Sequence, residues 1–318
     1  MIPTSMQRLR GKPALHSRDT PHPLPASPHG TARHGAQRRY ACDIARLAVR
    51  SLYAELSLYP KPGLVSLVDS GSHRDMNAAT FMRSLFALRR YFHAICVAGM
   101  ADAPFSQLKQ LGMAAESRMM LATGGINTHR GAIFSLGLLC AAAGRAHAQA
   151  MPLSASTLRA VLLISWGEAL AAHTGASAGA DVAASHGLRA AALHAASGAR
   201  EEGALGLPSV FEIGLPALQA TLARGGGVYP ARVDALFALM AHVSDTNVLH
   251  RGGARGAQMV RDEARRFIAL GGTARPGWRD SALACHRLFV RHRLSPGGAA
   301  DLLAATCLVQ AMLTRERP

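Results

Sequence analysis

The chain has 318 residues, 49% of them hydrophobic and 5% aromatic, with 16 prolines, 5 cysteines and a formal charge of +16 at neutral pH. That length admits one large core or two ordinary domains, and abundant alanine, leucine and arginine with few β-branched runs favour helices. The cysteines lack CxxC spacing and residues 1–40 hold no apolar core of about 7–15 residues, so neither disulfides, zinc nor a secretory signal is expected.

Residues 1–40 are rich in Pro, His and Gly and hold seven Lys/Arg against Asp19 alone, so +6 of the charge sits in this tail. Without apolar periodicity it is expected to be disordered. The body, 41–318, is expected to be one all-α domain of many helices, with buried central helices and polar inter-helix hinges forming the site. Residues 41–58 place Ile44, Leu47, Ala48, Leu52 and Glu55 on one face. Asp75 is the expected cap of a helix running to about 98. Further helices are expected over 105–121, 129–147, 154–172, 181–197, 209–224, 231–244, 255–270, 277–292 and 298–313. The longest apolar run, Gly131 to Gly144, is too short to span a bilayer, so no membrane partner is expected and the cytoplasm is the expected compartment.

The hinges are unusually polar. "YPKPGLVSLVDSGSHRDM" follows the first helix, "ATGGINTHRG" precedes the most apolar one, and "SHG", "GAREEGALGLPSV", "HVSDTNVLHRGG" and "LSPGGAADLL" follow in order. The chain has only 19 carboxylates, yet Glu55, Asp69, Asp75, Glu201, Glu202, Asp245 and Asp301 lie in or beside these hinges. Carboxylates that hold magnesium, mixed with cations and helix N-termini that hold phosphate, suit a metal–polyphosphate ligand. Each hinge also has a plainer reading. Asn127 or Thr128 caps a helix, Glu201 and Glu202 suit a solvated helix start, and Asp245 fits an ordinary turn and cap. No Walker A loop, GxGxxG, HExxH or EF-hand loop is present.

Together these stretches resemble the triphosphoribosyl-dephospho-CoA synthases that serve citrate lyase and malonate decarboxylase. The resemblance rests on PKPGLV (60–65), SGSHRDM (70–76), TGGINTHRGAIFSLG (123–137), SHG (185–187), GAREE (198–202) with GLPSV (206–210), DTNVLHRGG (245–253) and SPGGAADLL (295–303), in family order over about 41–313. The SHG…GAREE wording and the overall length look more like the malonate decarboxylase branch. Two departures occur: Leu207 replaces an aromatic residue before the proline, and Arg130 replaces the commoner lysine.

The resemblance implies an all-α transferase that takes ATP and 3′-dephospho-CoA, with magnesium, and releases adenine. Its product would pass to a holo-acyl-carrier transferase. Lys61, His129, Arg130 and Arg251 are the expected triphosphate contacts, with Gly124, Gly125, Asn127, Arg200 and Asn247 completing the substrate-binding set. Asp75, Glu202 and Asp245 are the expected magnesium or transition-state carboxylates, and His73 or His186 the expected base. The alternatives are a magnesium-dependent N-glycosidase of the ADP-ribosyl hydrolase type and a basic nucleic-acid-binding module. Against the latter, the tail lacks interleaved aromatics and the hinges mix carboxylates with their cations. No nucleic-acid partner is therefore expected.

Overall fold

Apolar residues recurring at helical spacing become helices in the computed structural model, which describes residues 28–176 and 198–315 and has no strand among them. The chain divides into Met1–Ala36 and Gln37–Pro318. Of the first unit only the start of α1 (Pro28–Leu56) is described, so this helix begins at Pro28 rather than at residue 41. Of the tail expected over 1–40, residues 28–40 are helical and 1–27 lie outside the described residues, as does the expected helix over 181–197, including His186.

Two helices form the centre. α4 (Arg130–Ala148) packs against α2 (Ala78–Met100), α3 (Phe105–Thr123) and α5 (Ala155–Leu162), as its all-round apolarity requires. α12 (Gly297–Arg315) packs on α4 and α9 (Val228–His242). Leu136, Leu139 and Cys140 of α4 and Leu303, Leu308 and Val309 of α12 are completely buried. Each such large aliphatic contributes about 1.5–3 kcal/mol on burial. Small residues set the α2–α4 spacing: a Cβ on Gly99 would strike the Ala141 carbonyl, and one on Gly144 the Cys96 carbonyl. α4 and α12, 19 residues each, are by length and composition able to cross a membrane, and so is one bent pair of helical segments, Gly198–Ala204 with Ser209–Ala223. This corrects the expectation that the 131–144 run is too short. Its apolarity is spent inside the protein, where 72% of the α4 window and 61% of the α12 window are buried.

The remaining elements frame the hinges. α5 continues through a π turn, Leu163–Gly167, into α6 (Glu168–Ala176), and the buried Trp166 indole N–H donates to the Ala103 carbonyl at 3.0 Å. The GAREE stretch, read as a hinge, forms α7 (Gly198–Ala204). A π turn, Ser209–Gly214, then leads into α8 (Leu215–Ala223). α10 (Thr246–Ala269) starts well before the expected residue 255 and is broken at Gly253, where φ is 59°. α11 (Trp278–Arg291) falls within its expected span. The cap of α2 is Asn77 and not Asp75: the Asn77 side chain accepts from the Thr80 N–H, and the Thr80 hydroxyl accepts from the Asn77 N–H.

Candidate active site

The starts of α4, α10 and α12 and the described part of α7 open onto a cavity of about 750 Å³. Its apolar lining includes Tyr91, Ile95, Phe105, Leu108, Phe134 and Leu138. Its polar lining includes Lys109, Arg130, Arg200 and Arg251, the carboxylates of Glu116, Glu201, Glu202, Asp245 and Asp301, and His73, Asn127 and Asn247. Most of the residues expected at the site therefore converge, although they come from four hinges.

The carboxylates are held by helix starts, whose free N–H groups and partial positive charge suit an anion. Asp245 serves two helices at once. Its Oδ1 accepts from the N–H of Asn247 and Val248 at 3.0 and 3.3 Å, and its Oδ2 from that of Ala299 at 3.0 Å. The Gly298 N–H also faces it, so four donors meet a carboxylate with about four lone-pair sites. Burial nevertheless pushes its carboxyl up. Glu202 is less committed. After α7 the chain turns through Gly206 and Leu207, both in the left-handed region, and the Leu207 N–H donates to the Glu202 carbonyl at 2.7 Å. That turn, strained at the non-glycine Leu207, brings Ser209 back so that its N–H and hydroxyl both donate to the Glu202 carboxylate. Lone pairs remain on Glu202, and burial pushes its carboxyl up as well.

The α4 start departs from expectation. Asp301 lies against it, with the N–H groups of Gly131 and Ala132 facing its carboxyl, while the Arg130 N–H donates to Asn127 Oδ1 at 3.1 Å. A Cβ on Gly131 would collide with Asp301. The first N–H groups of α4 thus meet the protein's own groups, and this corrects the picture of a helix start left free for phosphate. Gly124 and Gly125 do not line the cavity. They terminate α3 at φ 70° and 86°, the Gly125 N–H donating to the Met120 carbonyl at 2.8 Å, and a Cβ on either meets open space.

Two expected phosphate contacts are also placed elsewhere. His129 is 2% exposed, with Nδ1 2.7 Å from the Ser84 hydroxyl and the ring edge-on to Phe81. Burial and nearby Lys61 lower its pKa to about 3, so the ring is neutral. Lys61 is 1% exposed and donates to the Glu55 carboxylate and, at 3.0 Å, to the Glu55 carbonyl. Both residues line a small chamber of about 40 Å³ whose wall also includes Glu55, Thr128 and Asp301. Arg130 and Arg251 do reach the main cavity. Arg130 pairs with Glu116, and Arg251 donates to the Ser72 carbonyl at 3.3 Å and to His73 Nδ1 at 3.1 Å. His73 Nε2 lies 2.7 Å from the Ser295 hydroxyl, and burial with Arg251 lowers the ring's pKa. Asp75 sits 3.6 Å from His73 Nδ1 with its carboxylate exposed, outside the cavity wall.

Asp75, Glu202 and Asp245 are not brought together, and among the described residues no three of His, Cys, Asp and Glu are grouped to hold a metal. The acceptor positions of Asp245 are spent on backbone N–H groups, which is the physical reason. Sequence reasoning noted Asp301 and Glu55 near the hinges without giving them a role. The signal was there: each is a lone carboxylate on an otherwise apolar helix face.

Asp245→Asn tests the double cap. The amide retains one acceptor but turns its NH2 against backbone N–H groups, and the expected loss is about 2–4 kcal/mol in urea unfolding. A change within 0.5 kcal/mol, the range of an ordinary surface substitution (about ±0.5 kcal/mol), would show that the four donors contribute little.

By class the chain is a transferase, built as an all-α domain around this cavity. It belongs to the ATP:dephospho-CoA triphosphoribosyl transferase family, whose family model matches residues 41–317. It is 40% identical over 268 residues to a probable 2-(5″-triphosphoribosyl)-3′-dephosphocoenzyme-A synthase of Acinetobacter calcoaceticus, covering 84% of this chain and 90% of the relative. It is 39% identical to the corresponding probable synthase of Albidiferax ferrireducens, covering 83% and 88%. The 2-(5″-triphosphoribosyl)-3′-dephosphocoenzyme-A synthase of Pectobacterium atrosepticum is 37% identical, covering 86% and 90%. No solved structure matches the chain.

Proposed function

We propose that the chain joins the 5-triphosphoribosyl group of ATP to the 2′-hydroxyl of 3′-dephospho-CoA and releases adenine. The observation that carries this reading is the convergence of the family-matching hinges on one cavity lined by cations, carboxylates and apolar side chains.

The hydroxyl displaces adenine at the anomeric carbon through an oxocarbenium-like transition state, as in glycoside cleavage. Arg130, Arg200, Arg251 and Lys109 bind the triphosphate, and Asn127 and Asn247 orient its neighbours. Glu202, with lone pairs to spare, faces the developing sugar cation and takes the hydroxyl proton. His73 keeps Arg251 in register: its Nδ1 accepts from the guanidinium while Nε2 donates to Ser295. Magnesium enters as MgATP, part of the substrate, since the carboxylates here fit an ion carried on phosphate oxygens better than a protein cage. The apolar wall keeps water from intercepting the sugar.

We place the product in the malonate decarboxylase branch, supported by the SHG…GAREE wording, with a holo-acyl-carrier transferase as the next enzyme and the cytoplasm as the compartment. Adenine release measured with and without dephospho-CoA tests the reaction. Release only with the acceptor is expected, and equal release without it would make the chain an N-glycosidase. Loading the product onto acyl carrier subunits of malonate decarboxylase and citrate lyase through their own transferases tests the branch by which carrier becomes active.

Arg130→Ala checks the triphosphate contacts. The guanidinium is about half exposed and already paired with Glu116, so its loss should raise KM for the triphosphate substrate about 3–10-fold with kcat nearly constant, and less in high salt. A fall in kcat at unchanged KM would place Arg130 in the chemical step instead.

A further inference from the structure

Asp301 has no part in the scheme above, yet it stands where the two cavities meet. It lines the main cavity and the small chamber, and so do His73, Phe81 and Thr128. The chamber mixes the Glu55–Lys61 pair, His129 and Thr128 with apolar walls from Leu52, Leu64, Val65 and Ala304. Two buried atoms there, His129 Nε2 and Thr128 Oγ1, have no hydrogen-bond partner within the protein. A chamber of about 40 Å³ exceeds the ~10–15 Å³ that one water needs, and such atoms are its natural partners.

We propose that Asp301 is the proton donor to the departing adenine, held at the cavity wall by the α4 start and backed by a hydrated chamber. The inference rests on the reaction proposed above and assigns the half of it that Glu202 cannot perform. Displacement needs two proton movements. As the C1′–N9 bond breaks, its electron pair goes to the purine and the Asp301 proton passes to a purine ring nitrogen, so neutral adenine leaves. As the new O2′–C1′ bond forms, the hydroxyl proton goes to Glu202. One proton enters the product base and one leaves the acceptor, and both carboxyls reset by exchange with solvent after release.

The surroundings favour a carboxyl that holds its proton until it is needed. Glu55 from α1, Asp245 from the α10 start, Lys61 and His73 from the long hinge, and His129 with the N–H groups of Gly131 and Ala132 from α4 all face this region. Burial, then the Glu55 and Asp245 carboxylates, push Asp301 well above the usual carboxylate range. Neutral His129 cannot supply the proton instead. Paired carboxyls whose environments separate an acid from a base are a recurrent way to run both halves of such a reaction.

The test compares two substrates with the full-length chain and dephospho-CoA: ATP, and the 5′-triphosphate of p-nitrophenyl β-ribofuranoside, whose phenolate leaves without a proton. Asp301→Asn keeps the shape and an acceptor for the α4 N–H groups. Its turnover should fall ~100-fold with ATP, the usual scale of general acid catalysis, and less than about 5-fold with the phenolate substrate. Glu202→Gln should lose on both. The wild-type rate with ATP should fall on the alkaline side as Asp301 deprotonates, while the phenolate rate does not. Equal losses of Asp301→Asn on both substrates would overturn the assignment. So would superimposable wild-type pH profiles, a comparison that needs no variant to fold. Absence of adenine release by the wild type in the presence of dephospho-CoA would sink the proposed reaction itself, and the acid assignment with it.

Discussion

Glu202→Gln is expected to reduce turnover roughly 1000-fold, the upper end of what one transition-state electrostatic contact supplies, with the melting temperature changed by little. The carboxylate receives two donors from Ser209 and keeps free lone pairs at the cavity wall. The amide can still accept from the Ser209 N–H, so the turn through Leu207 survives, but it carries no charge to set against the ribosyl cation and takes no proton from the hydroxyl. KM for both substrates should change by less than about 3-fold, because an interaction made only in the transition state lowers kcat and kcat/KM together. A variant within 10-fold of wild type would return Glu202 to the plainer role of capping the segment that starts at Ser209.

The second large effect concerns stability. Lys61 and Glu55 form a buried ion pair, 1% and 4% exposed, and each is shifted toward neutrality by burial while the other holds it charged. Removing one partner leaves the other alone in a medium that solvates it poorly. Lys61→Met should cost about 3–5 kcal/mol and lower Tm by roughly 10 °C, the usual scale for breaking a buried pair. Glu55→Gln should cost about as much, and Lys61→Met with Glu55→Gln should recover much of the loss, because no lone charge then remains. This pattern separates an ion pair from a substrate contact. If Lys61 held the triphosphate, Lys61→Met would raise KM and leave Tm in place, and the second substitution would rescue nothing.

Helix periodicity made the fold legible. α11 and α12 lie within a residue or two of their expected ends, and Glu55 falls on the buried face that its spacing from Ile44 indicates. The misses have local causes. The Gly252–Gly253 pair reads as a hinge, whereas only Gly253 leaves helical geometry, so α10 begins at Thr246. Asp75 and Asn77 are both good caps by type, and only the chain's path selects Asn77. At the site, residue type and hinge position were enough to gather Arg130, Arg200, Glu202, Asp245, Asn247 and Arg251. They were not enough to separate a cation facing the cavity from one consumed by a pair, as Lys61 is, or a histidine at a helix start from one buried beneath it, as His129 is. The meeting of Asp301 with the α4 start depends on how α12 packs on α4, and no local pattern reports that.

Mass spectrometry of the purified chain incubated with MgATP and 3′-dephospho-CoA tests the central claim most directly. The account predicts free adenine and one new species whose mass is that of the two substrates combined less adenine, both vanishing when either substrate is omitted. Adenine formed without dephospho-CoA, accompanied by ribose triphosphate and no adduct, would contradict it.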